Sequence, residues 1–436
     1  MALRIAFATL GCKVNRADTA ALRDALPGED FEVVDFTAPA DVYVINTCTV
    51  TAVADRQSRQ LVTRAHRRNP GARVIVTGCL AERAPEQVRD LPGVDLVVPN
   101  FDKPGIASRL RSRPATGTAP MRYDLHELTR PPLKIQDGCS GSCAYCAVAA
   151  VRGAPRSLAP DEVVARLGDL ARAGCAEAVL AGIDLGAYGL DHAPPTRLAG
   201  LIRRLGAERP IHRVRLSSVE VHRLDAELIE ALGQSAGVIC RHLHLPLQSG
   251  ADAVLRRMRR PYAFADYATA VRRAHAALPG LHVSADVIAG FPGETDDDHR
   301  ETLDRIRTLG LAYLHVFPFS PRPGTPAATM PDPVPDRVVR DRARELRDLG
   351  AALWQARRTA LVGQRLEAVV EGTRREGRLV AFADPGVAVR LDGPDAWMGQ
   401  VIDVRVDGLD EDGVVGTRTE ADPDGRVRRG AAHAEP

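Results

Sequence analysis

Three cysteines stand close together in the run Gln136-Asp137-Gly138-Cys139-Ser140-Gly141-Ser142-Cys143-Ala144-Tyr145-Cys146. Three thiolates on one loop can each take one iron of a [4Fe–4S] cube, which leaves the fourth iron open to a small molecule. A structural zinc knuckle would want a fourth Cys or His nearby, and none stands there. A second trio is less obvious, because 36 and 31 residues separate Cys12, Cys48 and Cys79. Their context pairs them: Leu10-Gly11-Cys12, Asn46-Thr47-Cys48 and Thr77-Gly78-Cys79 each close a short apolar run. Parallel strands deliver their C-terminal ends to one sheet edge, so these three thiols are expected to converge there. Small neighbours would let a bulky cluster approach the backbone. Cys175 and Cys240 lack such partners and read as plain core.

Those placements need particular elements. Arg4 to Thr9, Asp41 to Asn46 and Arg73 to Thr77 read as buried parallel strands, each followed by a helical pattern. Between the second and third, Ser58, Leu61, Val62 and Ala65 share one helical face, while Arg56, Arg59, Arg64 and Arg67 fall outside it. Pro99 to Pro132 reads as a connection. Six further strands are expected near Leu133 to Gln136, Glu177 to Gly182, Arg213 to Ser217, His242 to Leu247, His282 to Ala289 and Ala312 to Pro318. Six βα units are two short of a complete barrel, which predicts an open, partial barrel with its chemistry at the strands' C-terminal ends. The Arg-rich helix from about Asp336 to Leu361 is expected to carry the chain away from that barrel. From Leu366 short segments alternate with Gly and Asp turns, as in a small all-β barrel.

The domains expected are therefore 1–115, 131–362 with the following helix, 363–420, and a frayed tail at 421–436. At 436 residues, 45% apolar and 26% charged, the chain matches an ordinary globular protein, not a disordered one. No apolar stretch is long enough to span a membrane, and the opening residues read as a strand, which points to a cytoplasmic protein. Eight Cys are too few for a disulfide scaffold. Charge is nearly balanced, 58 basic against 56 acidic, but from Gly363 onward there are 10 basic and 15 acidic residues. RNA contact, which rests on Lys and Arg neutralising phosphates, is thus expected mainly on the earlier part.

The C-x3-C-x2-C spacing, with an aromatic residue before the last Cys, resembles the radical S-adenosylmethionine superfamily. Together with the first Cys trio, and with Ala181-Gly182-Ile183-Asp184, Leu245-Pro246-Leu247-Gln248, Asp286 to Thr295 and Phe317 to Thr325, the chain resembles the methylthiotransferase family. The resemblance implies an α/β fold: an N-terminal parallel-sheet domain, a partial (β/α)6 radical SAM barrel and a C-terminal all-β TRAM (OB-like) barrel. Leu10-Gly11-Cys12-Lys13-Val14-Asn15 is similar to the branch that acts on N6-threonylcarbamoyladenosine at position 37 of tRNA, next to the anticodon. The branches modifying isopentenyladenosine in tRNA or a ribosomal-protein aspartate are the alternatives, and a non-catalytic iron–sulfur RNA-binding protein is another.

The family implies two [4Fe–4S] clusters, one on Cys139, Cys143 and Cys146 and one on Cys12, Cys48 and Cys79, with S-adenosyl-L-methionine bound at the open iron of the first. Tyr145, Gly182, Asp184, Ser217, Glu220, Gln248 and Gly290 are expected around that cofactor. Arg152 and Arg156 are candidates for a phosphate or the cofactor carboxylate. The implied partners are the tRNA anticodon stem-loop, a reductant protein and a sulfur donor, with no membrane.

Overall fold

The computed structural model describes residues 2–26, 28, 30–110, 129–411 and 413–419; the expected tail lies outside them. By their contacts these residues fall into two compact units. One comprises the described parts of Met1–Tyr123 together with Asp137–Arg156 and Ser320–Thr329, and the other the rest.

In the first unit, β1 (Leu3–Thr9), β2 (Phe31–Val34), β3 (Val42–Thr47), β4 (Arg73–Gly78) and β5 (Leu96–Val98) form a sheet in the order β2-β1-β3-β4-β5. Every pairing is parallel. All six residues of β3 are buried, as befits a central strand covered on both faces. Strands β2 and β5 escape a sequence reading because four and three residues carry too little pattern. Helix α1 (Lys13–Asp24) starts directly after Cys12. Helix α2 (Ala52–Arg68) is capped by Thr51, whose Oγ1 accepts the Ala54 N–H at 3.1 Å, and ends in His66, Arg67 and Arg68, which suit the negative end of its dipole. Helix α3 (Cys79–Arg83) begins at Cys79 itself.

The second unit holds the six expected strands. Pro132–Lys134, Glu177–Ala181 and Arg213–Leu216 form one parallel group, and His242–His244, His282–Ala289 and Tyr313–Pro318 another. A parallel bridge between Ser218 and His244 joins the groups, so the strands run in chain order as an open barrel. The helix Asp336–Thr359 does not leave this barrel. It packs along the last strand, with a Cβ on Gly350 only 3.1 Å from Leu314 Cβ and Trp354 edge-on to Tyr313 at 5.8 Å. Burying Val339, Ala343 and Leu346 there outweighs the exposed arginines of its other face.

The remaining strands, Arg365–Arg375, Arg378–Ala383, Ala388–Leu391, Val401–Leu409 and Val414–Arg418, close into a five-stranded barrel filled by Leu366, Val370, Leu379, Val389, Ile402 and Val404. A buried ion network ties it to the partial barrel. Glu177, fully buried, accepts Arg213 Nε at 2.7 Å and Arg215 Nε at 2.8 Å. Both guanidiniums then reach across: Arg213 Nη2 donates to Phe382 O at 2.7 Å, and Arg215 Nη1 to Asp384 O at 2.9 Å. Acidic residues of the last domain, such as Glu367 facing Arg213 and His212, are in part spent on this junction.

Candidate functional site

Cys12, Cys48 and Cys79 follow β1, β3 and β4, three neighbours in the sheet, and the first unit brings them together. Gly11 has φ +99°, and a Cβ there would stand 2.8 Å from Cys48 Sγ, so the residue beside Cys12 touches the Cys48 sulfur. Gly78 is likewise at φ +98°, with Thr47 O where a Cβ would stand 2.3 Å away. Only glycine tolerates either position. Burial pushes the Cys48 thiol up to about 11, and Cys79 and Cys12 lie near enough to add like-charge repulsion. Such a thiol is neutral at pH 7, and a metal must displace its proton to be bound. Cys12 is exposed, whereas Cys48 and Cys79 are buried.

Two buried ion groups surround this trio. Asp18 Oδ2 accepts Lys103 Nζ at 2.8 Å and Arg152 Nη1 at 3.1 Å, and Arg152 also pairs with Asp137 at 3.2 Å. Arg152 Nη2 donates to Asn15 Oδ1, while Asn15 Nδ2 donates to Leu10 O at 2.7 Å and Thr47 O at 2.9 Å, knitting together the backbone beside Cys12 and Cys48. Burial works against the charge of Arg152, but Cys79, Asp137, Asp18 and Cys12 hold it more firmly charged than usual. Burial pulls Lys103 down, with Asp18 opposing. The second group joins Arg322 and Arg83 to Asp55, with Arg322 Nη2 also 3.4 Å from Thr49 Oγ1, next to Cys48. Sequence reasoning missed Asp18, Lys103, Asp55, Arg83 and Arg322, because nothing local distinguishes a buried ion from a surface one. Of Arg152 and Arg156, expected to meet a ligand, Arg152 is committed internally as described, whereas Arg156 is exposed, its guanidinium over the Phe101 ring at 4.3 Å.

The loop of Cys139, Cys143 and Cys146 belongs to this same unit. Gly141 N–H donates to Cys139 Sγ at 3.2 Å, and Val148 N–H to Cys146 Sγ at 3.4 Å. A Cβ on Gly141 would stand 3.2 Å from Cys139 Sγ and 3.9 Å from Cys143 Sγ, so these two sulfurs flank one small residue. Amide donors aimed at sulfur, on a partly exposed loop, fit an iron–sulfur cluster of the radical SAM kind. Tyr145 is half-buried beside them.

The other expected residues lie in the second unit. Gly182 N–H donates to Ser217 Oγ at 3.3 Å, and a Cβ on Gly182 would stand 3.0 Å from Gln136 Oε1, which accepts the Asp184 N–H at 2.9 Å. Burial raises the Asp184 carboxyl, with Arg223 opposing from 3.7 Å, and its Oδ1 meets no donor among the described residues. Glu220 is raised by burial too, against the pull of its partner Arg260. An orphaned carboxylate oxygen suits a cationic or hydroxyl-bearing ligand such as S-adenosyl-L-methionine. Gln248 holds φ +68°, kept there by its N–H on Asp286 O and by Ile288 N–H on its own carbonyl, both at 2.8 Å. Strain of this kind gathers at functional sites. Gly290 at φ +77° has a packing reason instead: a Cβ would meet Val339 Cγ2 at 2.4 Å.

His244, Asp286 and His315 form a further polar cluster on three adjacent strands of the barrel. His244 bonds Asp286 Oδ1 at 3.1 Å and Ser284 Oγ at 2.9 Å, so the pair at its centre satisfies itself.

Residues 4–99 match the model described as Uncharacterized protein family UPF0004, and residues 133–306 match the Radical SAM superfamily. The chain is 38% identical to a threonylcarbamoyladenosine tRNA methylthiotransferase, MtaB, of Bacillus subtilis, over 92% of this chain and 93% of that one. It is 35% identical to a tRNA-2-methylthio-N(6)-dimethylallyladenosine synthase of Parafrankia sp., over 90% and 84%. Among solved structures, the radical S-adenosylmethionine methyltransferase TsrM from Kitasatospora setae shares the fold at a TM-score of 0.57 and 17% identity, covering 75% of this chain and 77% of that one. No helix among the described residues is long and apolar enough to cross a membrane.

Proposed function

Because the chain belongs to the methylthiotransferase family of radical S-adenosylmethionine enzymes, we propose that it converts N6-threonylcarbamoyladenosine, next to the anticodon of tRNA, to its 2-methylthio derivative. Breaking the C2–H bond of an adenine ring is beyond any side chain's acid or base. Bound S-adenosyl-L-methionine and iron–sulfur clusters supply instead a carbon-centred radical for that hydrogen and a methylated sulfur to replace it.

The chain's own part is to hold and tune these groups. Cys139, Cys143 and Cys146 ligate one [4Fe–4S] cluster, and the Gly141 and Val148 amides direct hydrogen bonds at its sulfur ligands. Asp184, Glu220, Ser217, Gln248 and the backbone at Gly182 bind the cofactor's polar groups, with Tyr145 beside the cluster loop. Cys12, Cys48 and Cys79 ligate a second [4Fe–4S] cluster that carries the sulfur. The five-stranded C-terminal barrel is the TRAM-like module. A reductant protein supplies electrons and a separate donor supplies sulfur, both in the cytoplasm where the tRNA is.

The observation that carries this reading is the pairing of two three-cysteine sets in one compact unit, the first with its sulfurs within reach of one another behind Gly11. Anaerobic reconstitution tests it: about eight irons per chain, four for each cube, with 5′-deoxyadenosine formed from S-adenosyl-L-methionine. Iron without cofactor cleavage would instead make the protein an iron–sulfur scaffold. Nucleosides of tRNA from cells lacking the gene test the substrate. Loss of 2-methylthio-N6-threonylcarbamoyladenosine is expected, and its persistence where no second enzyme makes it refutes the assignment. Loss of methylthio-isopentenyladenosine would point to the other tRNA branch, to which a 35%-identical relative is assigned.

A further inference from the structure

Arg152 is the least exposed arginine among the described residues, at 1%, and it joins both cysteine sets. The short helix that carries it, Val148–Arg152, begins two residues after Cys146. Its guanidinium bonds Asp137, two residues before Cys139, so it closes the cluster loop on itself. The same guanidinium bonds Asn15 and Asp18 on α1, the helix that Cys12 starts. One planar fork thus spans the loop of one trio and the helix of the other. A buried ion pair is a costly way to stabilise a fold, since apolar side chains of similar volume often do as well. Its retention asks for a role that needs the charge.

We propose that Arg152 is a positioning residue for both clusters, fixing the Cys139–Cys146 loop to the Cys12 helix and stabilising the reduced state of a cluster held by Cys12, Cys48 and Cys79. The inference rests on the two-cluster reading above. Arg152 and Lys103 face Asp18 and Asp137 in one buried group. Removing the arginine takes one positive charge from beside the sulfurs, which disfavours adding an electron. Neutralising Asp137 takes one negative charge away, which favours it. The Arg322–Asp55–Arg83 group, on the side of Thr49, keeps its own excess of one positive charge in every variant. A unit charge on the order of 10 Å from the cluster, at an effective dielectric near 20, changes the reduced-to-oxidised ratio roughly tenfold.

The test is an anaerobic, EPR-monitored redox titration of the reconstituted full chain in which Cys139→Ala, Cys143→Ala and Cys146→Ala leave only the first trio to hold a cluster. In that background Arg152→Gln is expected to lower the reduced-to-oxidised ratio at fixed potential about tenfold, a negative shift of about 59 mV for one electron. Asp137→Asn is expected to shift the midpoint the other way, and Arg152→Lys, which keeps the charge, to stay near the parent. In the chain with both trios, Arg152→Lys should still change the dipolar coupling between the two reduced clusters, because an ammonium cannot replace the fork that spans Asn15, Asp18 and Asp137. An unchanged midpoint in Arg152→Gln at full iron occupancy overturns the proposal. Should that variant fail to fold, the absence of a positive shift in Asp137→Asn overturns it equally. Zero iron on the isolated first trio before any change at Arg152 would bring down the two-cluster reading itself, and this inference with it.

Discussion

Glu177→Gln is the substitution whose effect can be worked furthest from the structure. The carboxylate is fully buried at the start of the second barrel strand, and burial alone would raise it, yet Arg215, Arg213 and Arg130 pull it down to about 2 from an ordinary 4.5. At about 1.4 kcal/mol per pKa unit, that depression corresponds to about 3 kcal/mol of folding stability. Breaking a buried pair by removing one partner costs a similar ~3–5 kcal/mol, because Arg215 stays buried without its counter-ion and Arg213 keeps only Glu367, at 3.3 Å. A carboxyl depressed on folding contributes fully above its unfolded value near 4.5 and loses that contribution as pH falls towards about 2. The wild-type chain should therefore exceed Glu177→Gln by about 3 kcal/mol at pH 7, and the gap should begin to narrow below pH 4.5 and close near pH 2. Both tryptophans, Trp354 and Trp397, lie in the unit that holds Glu177, so urea unfolding followed by tryptophan fluorescence reads that unit alone. A difference under about 1 kcal/mol at pH 7, or a gap that does not narrow with acid, would refute the view that this network holds the C-terminal barrel to the partial barrel.

Gly11→Ala forces a side chain into left-handed backbone, at a cost of about 1–2 kcal/mol, and drives a methyl against Cys48 Sγ. Iron after reconstitution should fall from about eight towards about four per chain, and full iron content would show that the Cys12 turn is not held as described. Cys48→Ala should likewise lose one cube's worth of iron and all methylthio transfer while still forming 5′-deoxyadenosine; loss of cofactor cleavage as well would mean the two trios are not separable. In the metal-free chain at pH 8, iodoacetamide followed by peptide mass mapping should modify exposed Cys12 well before Cys48, whose thiol burial pushes up to about 11. Equal rates would place Cys48 at the surface.

What could be read from the sequence was whatever leaves a local pattern. Apolar runs at Val42–Thr47 and Arg73–Gly78 announce buried strands, and a Cys after each announces a shared edge, because parallel strands end on one side. The six barrel strands were visible for the same reason. Side chains whose meaning depends on distant partners were not. Arg213-Val214-Arg215-Leu216 alternates like a strand with one wet face, yet both arginines are buried, since Glu177 and four carbonyls of the next domain receive them. Asp336–Thr359 reads as an Arg-rich helix leaving the barrel, and only the folded chain reveals that Val339 and Leu346 are buried. The cysteine loop, written in the chain as the sequel to a barrel strand, folds with the N-terminal sheet because Arg152 finds Asp18 and Asn15 there. In the first and third cases the ion that decides the packing lies tens to hundreds of residues from its counter-ion or acceptor. The cost of burying it is met only when the whole fold has supplied that partner, and no window along the chain contains both.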